Sequence, residues 1–113
     1  RETTDWASDL ARSRAILGRS ASVCAKRGRP LTVVALLAPA GVIRYLADPK
    51  WREQLDARRA DFLDQPIDML DLVPSQIEAY REERAALFAP LAHWSSRGNQ
   101  LWAERIAHHL DRK

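Results

Sequence analysis

Apolar residues at Trp6, Leu10, Leu17, Ala21 and Cys24 recur at intervals of three, four or seven, which puts them on one face of a helix. The spacing predicts an amphipathic helix over residues 4–27. Lys26 and Arg27 suit the negative end of its dipole, and Gly28 suits the left-handed residue that follows a helix. The next run, Leu31-Thr32-Val33-Val34-Ala35-Leu36-Leu37-Ala38, is continuous rather than alternating, β-branched in its middle and bounded by Pro30 and Pro39. That pattern predicts a parallel strand covered on both faces by helices. Residues 39–45 read as the connection leaving its carboxyl end, a candidate wall of a binding site.

Asp48-Pro49 then opens a crossover helix, because Asp48 can cap it and proline is tolerated in its first turn. Trp51, Leu55 and Phe62 form its inward face, with Trp51 as core or rim. A second, shorter strand is expected over residues 67–73, with Asp71 near its carboxyl end. Two parallel strands joined through a helix make a right-handed crossover. After Pro74, Ser75-Gln76-Ile77-Glu78 reads as a capping box. Ile77, Tyr80, Arg84, Leu87 and Phe88 would face inward, and Pro90 would stop that helix. A last helix over residues 96–110 should bury Trp102, Ala103, Ile106, Ala107 and Leu110, leaving His108 and His109 exposed in its final turn. The order is helix, strand, helix, strand, helix, helix, without repeats or linkers, so residues 1–113 read as one α/β domain with about two parallel strands and four helices.

Composition narrows the classes. Apolar content of 46%, charge of 29% and four tryptophans describe a chain that folds. Eighteen basic against fifteen acidic residues leave a net charge of only +3, a mixed surface that gives no ground for a nucleic-acid partner. The tract Arg12, Arg14, Arg19, Arg27 and Arg29 lacks interleaved aromatics and reads as a solvated helix face. The lone cysteine, Cys24, cannot form an internal disulfide and reads as a small buried packing residue. The ten-residue run 31–40 is too short to span a bilayer, so no membrane contact is expected, nor is a metal or cofactor. Arg1 in place of a methionine, together with the small size, suggests a piece of a larger domain.

The candidate chemistry lies in His93-Trp94-Ser95-Ser96-Arg97-Gly98-Asn99-Gln100-Leu101-Trp102-Ala103-Glu104. A histidine here precedes a helix start that Ser95 or Ser96 can cap, and Gly98 permits close approach of another backbone. This block resembles the C-terminal block of the SGNH (GDSL-type) hydrolases, and the resemblance extends less specifically from about Leu17 onward. It implies a flavodoxin-like, three-layer α/β/α fold, of which this chain would be the C-terminal portion. It further implies that His93 is the general base activating a serine in an ester hydrolase, a carbohydrate O-acetyl esterase or an acetyltransferase, with an ester or acetylated carbohydrate as substrate and an exported or cell-envelope location.

The family's Gly-Asp-Ser and Gly-x-Asn-Asp blocks are not in this sequence. The resemblance therefore requires the nucleophile and oxyanion donors in a missing N-terminal part against which this chain packs. The family also carries an aspartate two or three residues before the histidine, where this chain has Leu91 and Pro90. A backbone carbonyl or Asp71 could orient the imidazole, or the site could be degenerate. Ser95 and Ser96 read as caps, because neither lies on a tight strand-to-helix elbow. The alternative reading is a non-catalytic α/β binding or assembly module whose free sheet edge pairs with another chain.

Overall fold

A computed structural model describes residues 5–89 and 93–112. Five α-helices surround two short parallel strands, in the order α1 (Trp6–Lys26), β1 (Thr32–Ala35), α2 (Pro39–Ala47), α3 (Pro49–Leu63), β2 (Asp68–Asp71), α4 (Val73–Glu83) and α5 (Ser96–Asp111). A 3-10 turn at Arg84–Leu87 leads from α4 into a two-residue antiparallel pair, β3 (Phe88–Ala89) with β4 (His93–Trp94). The fold is thus α/β as expected, with one helix more than the sequence pattern indicated.

The stripe on α1 forms as its periodicity requires. Trp6, Leu10, Leu17, Ala21 and Cys24 are all half-buried. Cys24 is therefore not a fully buried packing residue. Gly28 takes φ 66°, and its N–H donates to Ala25 while that of Arg29 donates to Cys24. These are the two bonds of a Schellman cap. Two arginines of this helix are engaged: Arg12 pairs with Asp9 at 3.1 Å, and Arg14 reaches the carbonyls of Asp61 and Asp64 at the end of α3.

The strands β1 and β2 are in register Thr32↔Asp68 to Ala35↔Asp71, and both are shorter than expected for physical reasons. Beyond Ala35, the backbone N–H and C=O of Leu37 are taken by the side chain of Gln76 at 2.8 and 2.9 Å. Beyond Asp71, Leu72 adopts helical angles and α4 begins at Val73. The expected capping box is not formed, because Ser75 already lies inside α4; the Asp71 carboxylate accepts from the Val73 N–H instead. Residues 39–45, expected as a connecting wall, are helical. Pro39 in the first turn of α2 supplies the preset φ angle.

The core sits at the carboxyl ends of the strands. Val42, Val73 and Ile77 are buried against one another, with Leu37, Tyr45, Leu46, Tyr80 and Trp94 packed around them. On α5 the inward face is Gly98, Trp102 and the half-buried Ile106 and His109. Ala103, Ala107 and Leu110 are exposed, against expectation. The helix is rotated because His109 turns inward and bonds Asp68 at 3.0 Å. Among the described residues no helix is long and apolar enough to cross a membrane, and no third strand joins β1 and β2.

Candidate functional site

Three contacts fix the His93 block, and the first of them ties it to the carboxyl end of β1. The Trp94 indole N–H donates to the Leu37 carbonyl at 3.2 Å, two residues past the strand. The Ser95 N–H donates to the Leu87 carbonyl at 2.7 Å. Ser95 Oγ accepts from the Gly98 N–H at 3.2 Å, which makes Ser95, rather than Ser96, the cap of α5. Gly98 is buried, and a Cβ built there would lie 3.0 Å from the Leu87 carbonyl oxygen and 3.3 Å from the Trp94 ring. A side chain at this position would push the helix start off the turn it rests on. Trp94 also meets Trp102 edge to face, with ring centroids 5.2 Å apart, a favoured geometry for aromatic pairs.

These contacts bury Trp94 in part and leave His93 exposed on the adjacent, outward position of the two-residue strand. No hydrogen bond ties its imidazole to a described residue. Leu91 and Pro90, which hold the family's expected aspartate positions, lie outside the described residues.

Asp71 does not orient His93. Its carboxylate accepts from Arg59 Nε at 3.0 Å and from the Val73 N–H at 3.1 Å. Arg59 also donates to Asp56 at 2.8 Å, and the Tyr45 hydroxyl donates to the same Asp56 oxygen at 2.8 Å. Burial opposes the charge on Arg59, but the bond to Asp56 and the nearby Asp71 outweigh it and hold the guanidinium above its ordinary value. Burial, reinforced by the bond to Asp56, pushes the Tyr45 phenol up as well. This network locks α2, α3 and the end of β2 together.

Two functional-looking groups escaped the sequence reading. Gln76 is fully buried and imitates a neighbouring strand by donating to and accepting from Leu37. It lies one residue before Ile77 on the face that also carries Val73 and Tyr80, a position that could have flagged it as inward. The second is His109, with Asp68 and Thr32. Thr32 Oγ1 donates to the Asp68 carboxylate, whose two oxygens both face His109 Nε2. These residues begin the strands, so the trio lies at the amino end, opposite His93. The seven-residue interval from Trp102 to His109 was the available signal. Among the described residues no group of three or more His, Cys, Asp or Glu is placed to hold a metal ion.

The arrangement presents one exposed imidazole, rigidly backed, at the end of a parallel sheet where α/β folds gather ligands. Comparison with known protein families, with curated proteins and with solved structures finds no match for this chain.

Proposed function

We propose that this chain is the histidine-bearing C-terminal part of an ester hydrolase of the SGNH type, with a three-layer α/β/α domain as its complete form. The observation that carries the reading is the bond from Trp94 to the Leu37 carbonyl, which delivers exposed His93 to the carboxyl end of β1 directly ahead of the capped α5. In this reading His93 takes the proton of a serine hydroxyl supplied from outside these residues as that oxygen attacks the acyl carbon. It then gives the proton to the departing alcohol. A water, deprotonated by the same imidazole, hydrolyses the acyl-serine and restores both groups. With Asp71 committed to Arg59 and Val73, this reading takes a backbone carbonyl to hold the imidazole tautomer, as in a Ser-His dyad. The substrate class is a small acyl ester, an acetylated carbohydrate by resemblance.

The test is hydrolysis of p-nitrophenyl acetate by the full-length protein that contains these residues. His93→Gln should lower kcat by roughly 10³-fold or more with little change in KM, the signature of a lost general base. The 113-residue chain alone should not turn over. Retention of activity in His93→Gln would exclude the base assignment.

A second reading, a non-catalytic assembly module, is favoured by one observation. The Leu72 N–H donates to the Ala35 carbonyl, so by alternation the backbone groups of Thr32 and Val34 point to the opposite edge of β1, which no strand among the described residues pairs. Such an edge invites strand addition. Concentration-dependent association of a chain without His93-dependent activity would favour this reading.

A further inference from the structure

We infer that the groove between α2 and α4 is a binding site for a small organic oxyanion, a carboxylate or phosphate carried on an apolar body. Two adjoining cavities of about 400 and 500 Å³ meet there and share Leu46 and Arg81. The first adds Arg84 over an apolar floor of Ile43, Ala47 and Tyr80. The second adds Arg52 beside Tyr45. Ile43 stays 46% exposed, so apolar surface lies open beside the guanidinium groups.

Charge balance distinguishes this groove from its surroundings. Among the described residues no carboxylate lies within ion-pair distance of Arg52, Arg81 or Arg84. Other arginines on the surface also lack an acidic partner, but these three converge on one concave surface. Among the described residues Glu78 is the single acidic one lining the two cavities. On the opposite side of α4 the balance reverses, with Glu78, Glu82 and Glu83 facing Arg97 and Arg105 around a smaller cavity of about 150 Å³. There Glu83 and Arg97 already neutralise each other at 2.8 and 3.0 Å. Arg81 on α4 and Arg84, the residue that ends it, both line the first cavity against α2.

Two of the guanidinium groups are also preorganised. Arg84 lies 5.8 Å from the Tyr80 ring centroid and Arg52 the same distance from that of Tyr45. A cation–π contact attracts the guanidinium to the ring without using its N–H groups, which stay available to an oxyanion. Arg52 spends one N–H on the Tyr45 carbonyl at 3.2 Å, which fixes it further. Arg84 carries φ 45°, ψ −117°, a strained conformation for a residue with a side chain. Strain of this kind concentrates where geometry serves binding. An oxyanion bridging Arg81 with Arg84 or Arg52 would make charge-assisted bonds, while its apolar body rests on Ile43, Leu46 and Tyr80. The assignment stands independently of His93, because it requires no reaction.

The experiment titrates the chain at low ionic strength with benzoate, phenyl phosphate and the neutral isostere benzamide, following amide shifts by NMR. Saturable shifts centred on α2 and α4 are expected for at least one anion, and which anion binds more tightly separates a carboxylate ligand from a phosphate one. Arg81→Gln should weaken binding about tenfold or more, since a charge-assisted hydrogen bond is lost. Arg52→Gln should act in the same direction. Arg12→Gln, which removes an equal charge at the distant α1 surface, should leave it unchanged. Equal response to benzamide and benzoate, no saturation by either anion, or unchanged affinity in both groove variants would overturn the assignment.

Discussion

Substituting the same residue at two helical glycines should change stability in opposite directions. In Gly98→Ala the new methyl meets the Leu87 carbonyl oxygen at 3.0 Å and the Trp94 ring at 3.3 Å. Neither neighbour can retreat freely. Leu87 is fully buried and its carbonyl accepts from Ser95 at 2.7 Å, while Trp94 is held by Leu37 and Trp102. Relief requires either moving the start of α5 or lengthening the Ser95–Leu87 bond, a cost of about 1–3 kcal/mol for overpacking a fitted site. Alanine returns about 0.5–1 kcal/mol of helix propensity, so the net loss should be about 1–2 kcal/mol. At Gly18, on exposed α1, a Cβ meets nothing within 4 Å, and the propensity gain of about 0.5–1 kcal/mol should appear undiminished. Urea denaturation followed by tryptophan fluorescence reads both. A melting temperature should differ by roughly 4 °C per kcal/mol for a chain of this size. If Gly98→Ala proves as stable as Gly18→Ala, α5 does not rest on Leu87 as described, and the placement of His93 fails with it.

Gln76→Met keeps the volume but leaves the Leu37 N–H without a partner, and should cost about 2–4 kcal/mol in the same urea assay; a loss below 1 kcal/mol would refute the strand-mimicking role. Tyr45→Phe removes the bond to Asp56 and should cost about 1 kcal/mol near neutrality. A phenol pushed up in the fold keeps its stabilising effect below the unfolded value of 10.0 and loses it as pH rises from there through the folded value. The stability gap between Tyr45→Phe and the parent should therefore narrow above pH 10, and a constant gap would contradict the pKa assignment. His109→Ala should cost about 1–2 kcal/mol and speed amide exchange in the last turn of α5 more than in its first. Uniform protection along α5 would show that the Asp68 bond does not anchor it.

The periodic features were legible because a single helix or strand carries them. The stripe from Trp6 to Cys24, the Asp48 cap, which accepts from the Trp51 N–H at 3.1 Å, and the close approach at Gly98 all follow from local pattern. What escaped depends on contacts between distant segments. β1 stops at Ala35 because Gln76, thirty-nine residues after Leu37, takes over its hydrogen bonding. α5 turns His109 inward and Leu110 outward because Asp68 and Thr32 await it at the other end of the sheet. The segment 39–45 reads as a connection next to Pro39, yet Val42 fills the core and draws the stretch into a helix. That His93 directly precedes a serine-capped helix was legible in the residues around it. The engagement of Asp71 by Arg59 was not, because no sequence spacing links α3 to the end of β2.

The central claim, that His93 serves as base to a serine, is tested most directly by fluorophosphonate labelling of the full-length protein that contains these residues, read by intact mass. A serine activated by His93 should take up one phosphonyl group, and His93→Gln should slow labelling by roughly 10³-fold while Ser95→Ala leaves the labelled site in place. Labelling that is absent, or that proceeds at the parent rate in His93→Gln, would contradict the account.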